Sequence, residues 1–347
     1  MQSLIKNIGC TKLLSEMKKV LITGASGFIG SFMVEEALKR NYEVYAGIRI
    51  GSSTIYLADP RIKFIELNFA DVEILRLQLS EFPYFDYVIH SAGLTKGFNK
   101  KDYFTSNYQY TKNFIDVLID QKRVPEKFIY MSSLAAFGPG DPILLNAVKL
   151  SDTPKPVTSY GKSKLKSENY LTSLLNFPYL IIRPTAVYGP REKELLTIFK
   201  LINSNLELLV GFKKQQLTFV YVSDLVEAVF QAMESNLTNR GYFVSDGHVY
   251  DGKMLGNIIR KHLEKRTIRI QIPTILVRLI AVVTEATKYI TRKQPMLNLE
   301  KIKELEASNW NCDIQPLRDD LDFKPAYDLE RGIQETIAWY KKARWLK

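Results

Sequence analysis

The sequence predicts an α/β fold, a doubly wound parallel sheet carrying a smaller C-terminal α/β lobe. Short apolar, β-rich runs alternate with stretches of helical period through the first half of the chain, and strands that alternate with helices pair in parallel with helices on both faces. With 347 residues, 46% hydrophobic and 24% charged, the chain is long enough for a large core and has the composition of a soluble globular protein.

The first unit is KKVLITGASGFIGSFMVEEALKRNYEVYAGIR, Lys18 to Arg49: a buried strand, a glycine-rich turn, an amphipathic helix and a second strand. Strands follow at Ile62–Leu67, Tyr87–His90, Lys127–Met131 and Tyr179–Arg183, separated by helices expected around Val72–Leu79, Asp102–Gln121, Ser159–Leu175 and Lys193–Asn203. After Arg183 the alternation weakens, although Leu217–Val222 and Gly241–Val244 still read as strands. The expected division is therefore an N-terminal extension over 1–16, a nucleotide-binding domain over 17–183, and a mainly substrate-binding lobe over 184–347, in which 217–245 returns to the core of the first domain. No repeat or low-complexity linker separates the parts.

Several function classes are excluded by composition. The formal net charge is +11, but much of the excess lies in Lys6, Lys12, Lys18, Lys19 and in Lys341, Lys342, Arg344, Lys347 at the two ends. No stretch interleaves cations with stacking aromatics, so nucleic acid is not an expected partner. Cys10 and Cys312 are far apart and without metal-ligand spacing, which argues against a disulfide framework or a zinc site and for a reducing, cytoplasmic setting. Residues 1–16 lack the continuous apolar stretch of a signal peptide, and no apolar run is long enough to span a bilayer.

The turn TGASGFIG places Gly24, Gly27 and Gly30 between strand and helix. Small residues here permit a tight turn and let the backbone of Gly24, Ser26, Gly27, Phe28, Ile29 and Gly30 approach a pyrophosphate at the positive end of the helix. At the end of the second strand, where an acidic residue would hold a free ribose 2′-OH, the chain has Arg49. A cation there suits a 2′-phosphate, so NADP(H) is favoured over NAD(H). Asn68 and Phe69 end the third strand, in position to read an adenine edge. The fourth ends in His90, Ser91, Ala92, Gly93, a small-residue turn suited to close approach of a cofactor, with His90 read as a packed strand residue.

Ser132 and Ser133 follow the fifth strand, at the carboxyl edge where open α/β sheets bind ligands. Tyr160 and Lys164 are four apart in TSYGKSKLKSENYL, so one helical turn stacks them on one face. A nearby ammonium stabilises a phenolate and lowers a tyrosine pKa from about 10, which fits proton exchange coupled to hydride transfer. Lys164 can also hold a nicotinamide ribose, and Ser133 can orient the reacting oxygen.

In this order and spacing TGASGFIG, HSAG, Asn107, SSLAAFG, YGKSK, RPTAVYGP and FVYVSDL resemble the extended short-chain dehydrogenase/reductases, the NAD(P)-dependent epimerase/dehydratase family, from about Lys18 onward. The resemblance implies a Rossmann fold, a Ser133–Tyr160–Lys164 catalytic set, a cofactor and substrate cleft lined by Arg183, Pro184 and Val187, substrate contacts from Thr95, Ser133, Leu134, Tyr188 and Arg191, and a homodimer packed on the YxxxK helix. The sequence departs from the sugar-nucleotide members at Leu217, where they carry an arginine for the substrate diphosphate; Lys213, Lys214 or Arg191 are the available substitutes. Leu134 and Ala135 after Ser133 leave no acid for dehydration. The expectation is an oxidoreductase interconverting a secondary alcohol and a ketone, with a nucleotide-sugar epimerase as the alternative and a non-catalytic dinucleotide-binding protein behind both. Pro273–Ile290 carries a wide apolar stripe that packs into the lobe, covers an apolar substrate or touches a membrane surface peripherally, the first being favoured. The tail, from Asn309 on, also resembles members acting on 3β-hydroxysteroids and dihydroflavonols.

Overall fold

The computed structural model describes residues 17–291 and 299–346; the expected extension over 1–16 lies outside them. The first unit is β1 (Lys19–Thr23), α1 (Phe28–Lys39) and β2 (Glu43–Ile48). It continues through β3 (Lys63–Glu66), α2 (Val72–Ser80), β4 (Tyr87–His90), α3 (Lys100–Tyr103), a π-turn over Phe104–Gln109, α4 (Tyr110–Asp120), β5 (Lys127–Met131), a 3-10 turn over Leu134–Ala136, α5 (Ser159–Thr172) and β6 (Tyr179–Pro184). The remainder comprises β7 (Ala186–Tyr188), α6 (Leu196–Asn203), β8 (Leu206–Val210), β9 (Phe219–Tyr221), α7 (Val222–Glu234), β10 (Arg240–Val244), α8 (Gly252–Leu263), β11 (Ile268–Ile272), α9 (Thr274–Thr291), α10 (Leu299–Glu306), α11 (Gln315–Leu321) and α12 (Leu329–Lys342).

Seven strands form one parallel sheet in the order β10-β6-β5-β4-β1-β2-β3. Successive side chains of β1 point to opposite faces, so Val20 and Ile22 enter the cluster with Met33, Val34 and Phe230, while Leu21 enters the one with Phe114, Phe128 and Tyr130. Both faces are thus buried, which is why these strands are apolar throughout rather than alternating. β1 lies between β2 and β4, and the chain runs in opposite directions across the sheet from it. The carboxyl end of β1 is the switch point at which such sheets open a crevice.

Three elements differ from the sequence expectation. The helix expected over 102–121 is broken by the π-turn, where the Tyr110 N–H reaches back five residues to Thr105 O. The Asn107 carbonyl instead accepts the hydroxyls of Thr111, at 2.7 Å, and Ser167, at 2.8 Å. The helix expected from Lys193 begins at Leu196, because the Glu192 carboxylate takes the N–H groups of Glu194 and Leu195. The strand expected over 217–222 shortens to β9 and pairs with β7 in a separate two-stranded sheet; β10 alone from that region joins the large one.

Candidate active site

The loop after β1 is shaped for close backbone approach. Gly24 has φ +69°, and a Cβ on it would stand 2.8 Å from Ala92 N; one on Gly30 would overlap Gly24 O. Both positions therefore exclude side chains. Gly27 caps α1 without any side-chain hydrogen bond to the first turn, leaving the N–H groups at the positive end of the helix for an anion. Ser26, Phe28 and Ile29 border this turn and are half-buried. These residues fit a pyrophosphate, which is the test a dinucleotide must pass here.

Arg49 is exposed at the end of β2, its N–H on Ser52 Oγ at 3.3 Å. Asn68 is exposed, whereas Phe69 is buried against His90 and Phe114, with its carbonyl taken by Asn113. Ser91 and Ala92 are half-buried and Gly93 is exposed. A Cβ on Gly93 would stand 3.0 Å from Asn107 Oδ1 and 3.3 Å from Lys164 Nζ, so this turn brings the carboxyl end of β4 against the lysine.

Thr158 starts α5 by accepting the Gly161 N–H at 3.1 Å. Gly161 in turn lets the helix settle on the 3-10 turn, since a Cβ there would overlap Ala135 O. That contact sets α5 against the turn that Ser133 caps, where Ser133 Oγ accepts the Ala135 N–H at 3.1 Å. Burial raises the Tyr160 phenol pKa, the Ser133 hydroxyl opposes the rise, and Glu304 and Glu194 add to it. Lys164 is buried, donates to Met131 O at 2.7 Å and lies 4.9 Å from the Tyr130 ring centre. Burial pulls its pKa down to about 8, against the opposing charge of Glu168. Burial thus favours the protonated phenol at Tyr160 and weakens the hold of Lys164, one turn further on, on its proton.

Asn107 ties the π-turn to this centre. Its Nδ2 donates to Leu94 O at 3.1 Å and Ser163 Oγ at 2.9 Å, and its Oδ1 accepts the Leu94 N–H at 2.6 Å. His90 is the packed residue expected. Since the Thr111 hydroxyl donates to Asn107 O, it accepts from His90 Nε2 at 2.9 Å, and His90 Nδ1 accepts from Thr23 Oγ1 at 2.8 Å. Burial lowers the His90 pKa to about 3, with Lys164 adding to the effect.

Several expected cleft residues have partners of their own. Tyr188 is buried with Phe219 and Tyr221 and donates to Asp328 O at 3.1 Å. Leu134 turns into a cluster with Phe137, Phe243 and Ile314. Arg191 is tied to α1 through Ser31 Oγ at 3.0 Å and Glu35 at 2.5 Å, between the rings of Phe32 and Tyr56. Arg183 is paired with Glu168 and stacked near Phe137 and Phe243. In each case burial, a backbone carbonyl or a carboxylate partner holds the side chain. Thr95 is exposed beyond β4, Pro184 is buried at the end of β6, and Val187 is half-buried against the core.

The sequence reading missed the cover of Tyr160. Glu300 of α10 accepts the Ser159 N–H, and Tyr103 meets the Tyr160 ring edge-on at 6.4 Å. No local signal announces α10, which arrives from 140 residues downstream.

Together the parallel sheet, the glycine turn at its switch point and the hydroxyl, phenol and ammonium at its carboxyl edge define a dinucleotide-dependent α/β enzyme. The NAD dependent epimerase/dehydratase family model matches residues 20–244, and the chain belongs to that family. It is 24% identical to a UDP-glucose 4-epimerase of Vibrio cholerae over 96% of this chain and 99% of that one. It is 23% identical to a ceramide reductase of Caulobacter vibrioides over 94% and 96%. The structure of Thermus thermophilus UDP-glucose 4-epimerase complexed with NAD superposes with a TM-score of 0.75 at 20% identity, over 94% of this chain and 99% of that one.

Proposed function

We propose that this chain interconverts a secondary alcohol and a ketone by hydride transfer, with Ser133, Tyr160 and Lys164 as the catalytic set. What supports this reading is the seating of α5 on the turn that Ser133 caps, through Gly161 against Ala135 O, with Lys164 buried one turn beyond Tyr160 and donating to Met131 O. A bound nicotinamide supplies or accepts the hydride. Ser133 holds the substrate oxygen, and Tyr160 gives that oxygen its proton in reduction and takes it in oxidation. Lys164 lowers the cost of the phenolate formed when Tyr160 has given its proton up.

The departures from nucleotide-sugar chemistry support an alcohol and ketone substrate. Leu217 is engaged in backbone pairing with Tyr250, Arg191 is held on α1, and Lys213 and Lys214 are exposed on the loop after β8. None is a cation committed to a buried diphosphate. The epimerase reading is favoured by a different observation, the similarity to the Vibrio cholerae enzyme. For the cofactor, Arg49 without a neighbouring carboxylate supports NADP(H), while the Thermus structure complexed with NAD supports NAD(H). The proposal includes a substrate lobe drawn mainly from 184–347, a homodimer packed on α5, and a cytoplasmic setting.

Mass spectrometry of nucleotide co-purified with the protein, followed by assay of NADPH and NADH oxidation with apolar ketones, tests the reading. Ketone-dependent oxidation of the dinucleotide is the expected result. Interconversion of UDP-sugars without net change in the cofactor overturns it.

A further inference from the structure

α9 is apolar around most of its circumference, yet only one side of it is packed. Val277 and Ala281 are buried with Val210 of β8, Ile272 of β11 and Ile302 of α10. The opposite side carries Ile275 at 59% exposure, Leu279 at 57% and Val283 at 64%, with Leu276, Ile280 and Val282 also exposed among them. At 100° per residue these positions span about 160° of arc. The apolar surface continues beyond the helix. β8 and β11 pair with Leu208 opposite Ile270, so the exposed side chains of Leu208, Ile268 and Ile270 share one face, and Phe212 follows on the next loop at 71% exposure. Gly211 of that loop lies against Thr274 at the start of α9. A helix apolar on all sides is ordinarily buried, and a continuous apolar patch marks an interaction surface.

The border of this patch is cationic. Lys213 and Lys214 follow Phe212, and Arg266 precedes Ile268, all exposed. Within α9 itself the described cation Arg278 is shared with Glu306 of α10. No described helix is long and apolar enough to cross a membrane. The 18 residues of α9 form instead a rod of about 27 Å, apolar on its free side and flanked by the cations of the Phe212 loop, which are the features of a helix lying in the plane of a lipid interface.

We propose that α9, the Leu208–Ile270 face and the Phe212 loop form a docking surface for an anionic lipid bilayer. Ile275, Leu279 and Val283 enter the acyl boundary, and Lys213, Lys214 and Arg266 meet the headgroups. The surface adjoins the site: α9 packs on α10 through Ile302, and Glu300 of α10 bonds the N–H beside Tyr160. The proposal does not depend on the reaction assigned above, because its test reads binding alone.

The full chain is mixed with large unilamellar vesicles of phosphatidylcholine, with and without phosphatidylglycerol, and floated through a density step. Wild type is expected to float with the anionic vesicles, and less so in high salt. Leu279→Glu with Val283→Glu lowers that binding at least about tenfold, and Lys213→Glu with Lys214→Glu does so by a similar factor, while far-UV circular dichroism and NADH fluorescence stay unchanged. Wild type that stays at the bottom with both vesicle types overturns the proposal. So does a dimer in sedimentation velocity that Leu279→Glu with Val283→Glu splits, which assigns the face to a second copy.

Discussion

Arg183 grips Glu168 with two nitrogens, Nε at 3.0 and 3.1 Å from the two carboxylate oxygens and Nη2 at 2.9 Å. Both side chains are buried, and Ser132 Oγ donates to the same carboxylate. The pair joins β6 to α5 one turn beyond Lys164. Removing one partner leaves an uncompensated buried charge, so Arg183→Met and Glu168→Gln are each expected to cost about 3–5 kcal/mol in urea unfolding. The double variant is expected to cost less than the sum of the two.

Tyr160→Phe is expected to lower turnover by about 10²–10⁴ while dinucleotide affinity, read by fluorescence titration, stays within about threefold. Activity near wild type with the cofactor still bound would falsify the catalytic assignment.

Arg49→Ala tests the cofactor preference. A charge-assisted contact of about 1.5–3 kcal/mol predicts NADP binding weakened about tenfold or more in isothermal titration, with NAD binding unaltered. Equal effects on both nucleotides would leave Arg49 a solvated residue and remove the argument for NADP(H).

His90 predicts a pH dependence of stability. Its folded pKa is about 3 against 6.5 ordinarily, so below 6.5 the unfolded chain binds a proton that the native one does not. Its contribution is complete above pH 6.5 and is lost as pH falls toward 3. Between pH 6.5 and 5 the loss from this group alone is about 2 kcal/mol. Urea midpoints across that interval are expected to fall in wild type and to fall less in His90→Gln.

How much of this was legible in the sequence depended on the range of the interactions. Strands buried on both faces declare themselves by continuous apolar runs, and Tyr87–His90 and Lys127–Met131 match β4 and β5 residue for residue. Tyr160 and Lys164 share a helix face by spacing alone. The π-turn was not legible, because Asn107 is held by Leu94 and Ser163 rather than by its own helix. The partners of Arg191 and Tyr188 were not legible for a related reason: Glu35 and Asp328 are distant in the chain, and only the tertiary fold brings them to this short segment. The exposed face of α9 was visible as a stripe, but the packed or free side of a stripe is decided by its neighbours.

β10 closes the far edge of the sheet, and its Gly241 lies against the Arg183 guanidinium, where a Cβ would overlap Nη1. The edge strand thus screens the guanidinium from water on that side, and the pair it encloses is no longer the weak contact that a solvated ion pair makes. A strand late in the chain therefore sets how firmly α5 is anchored to β6.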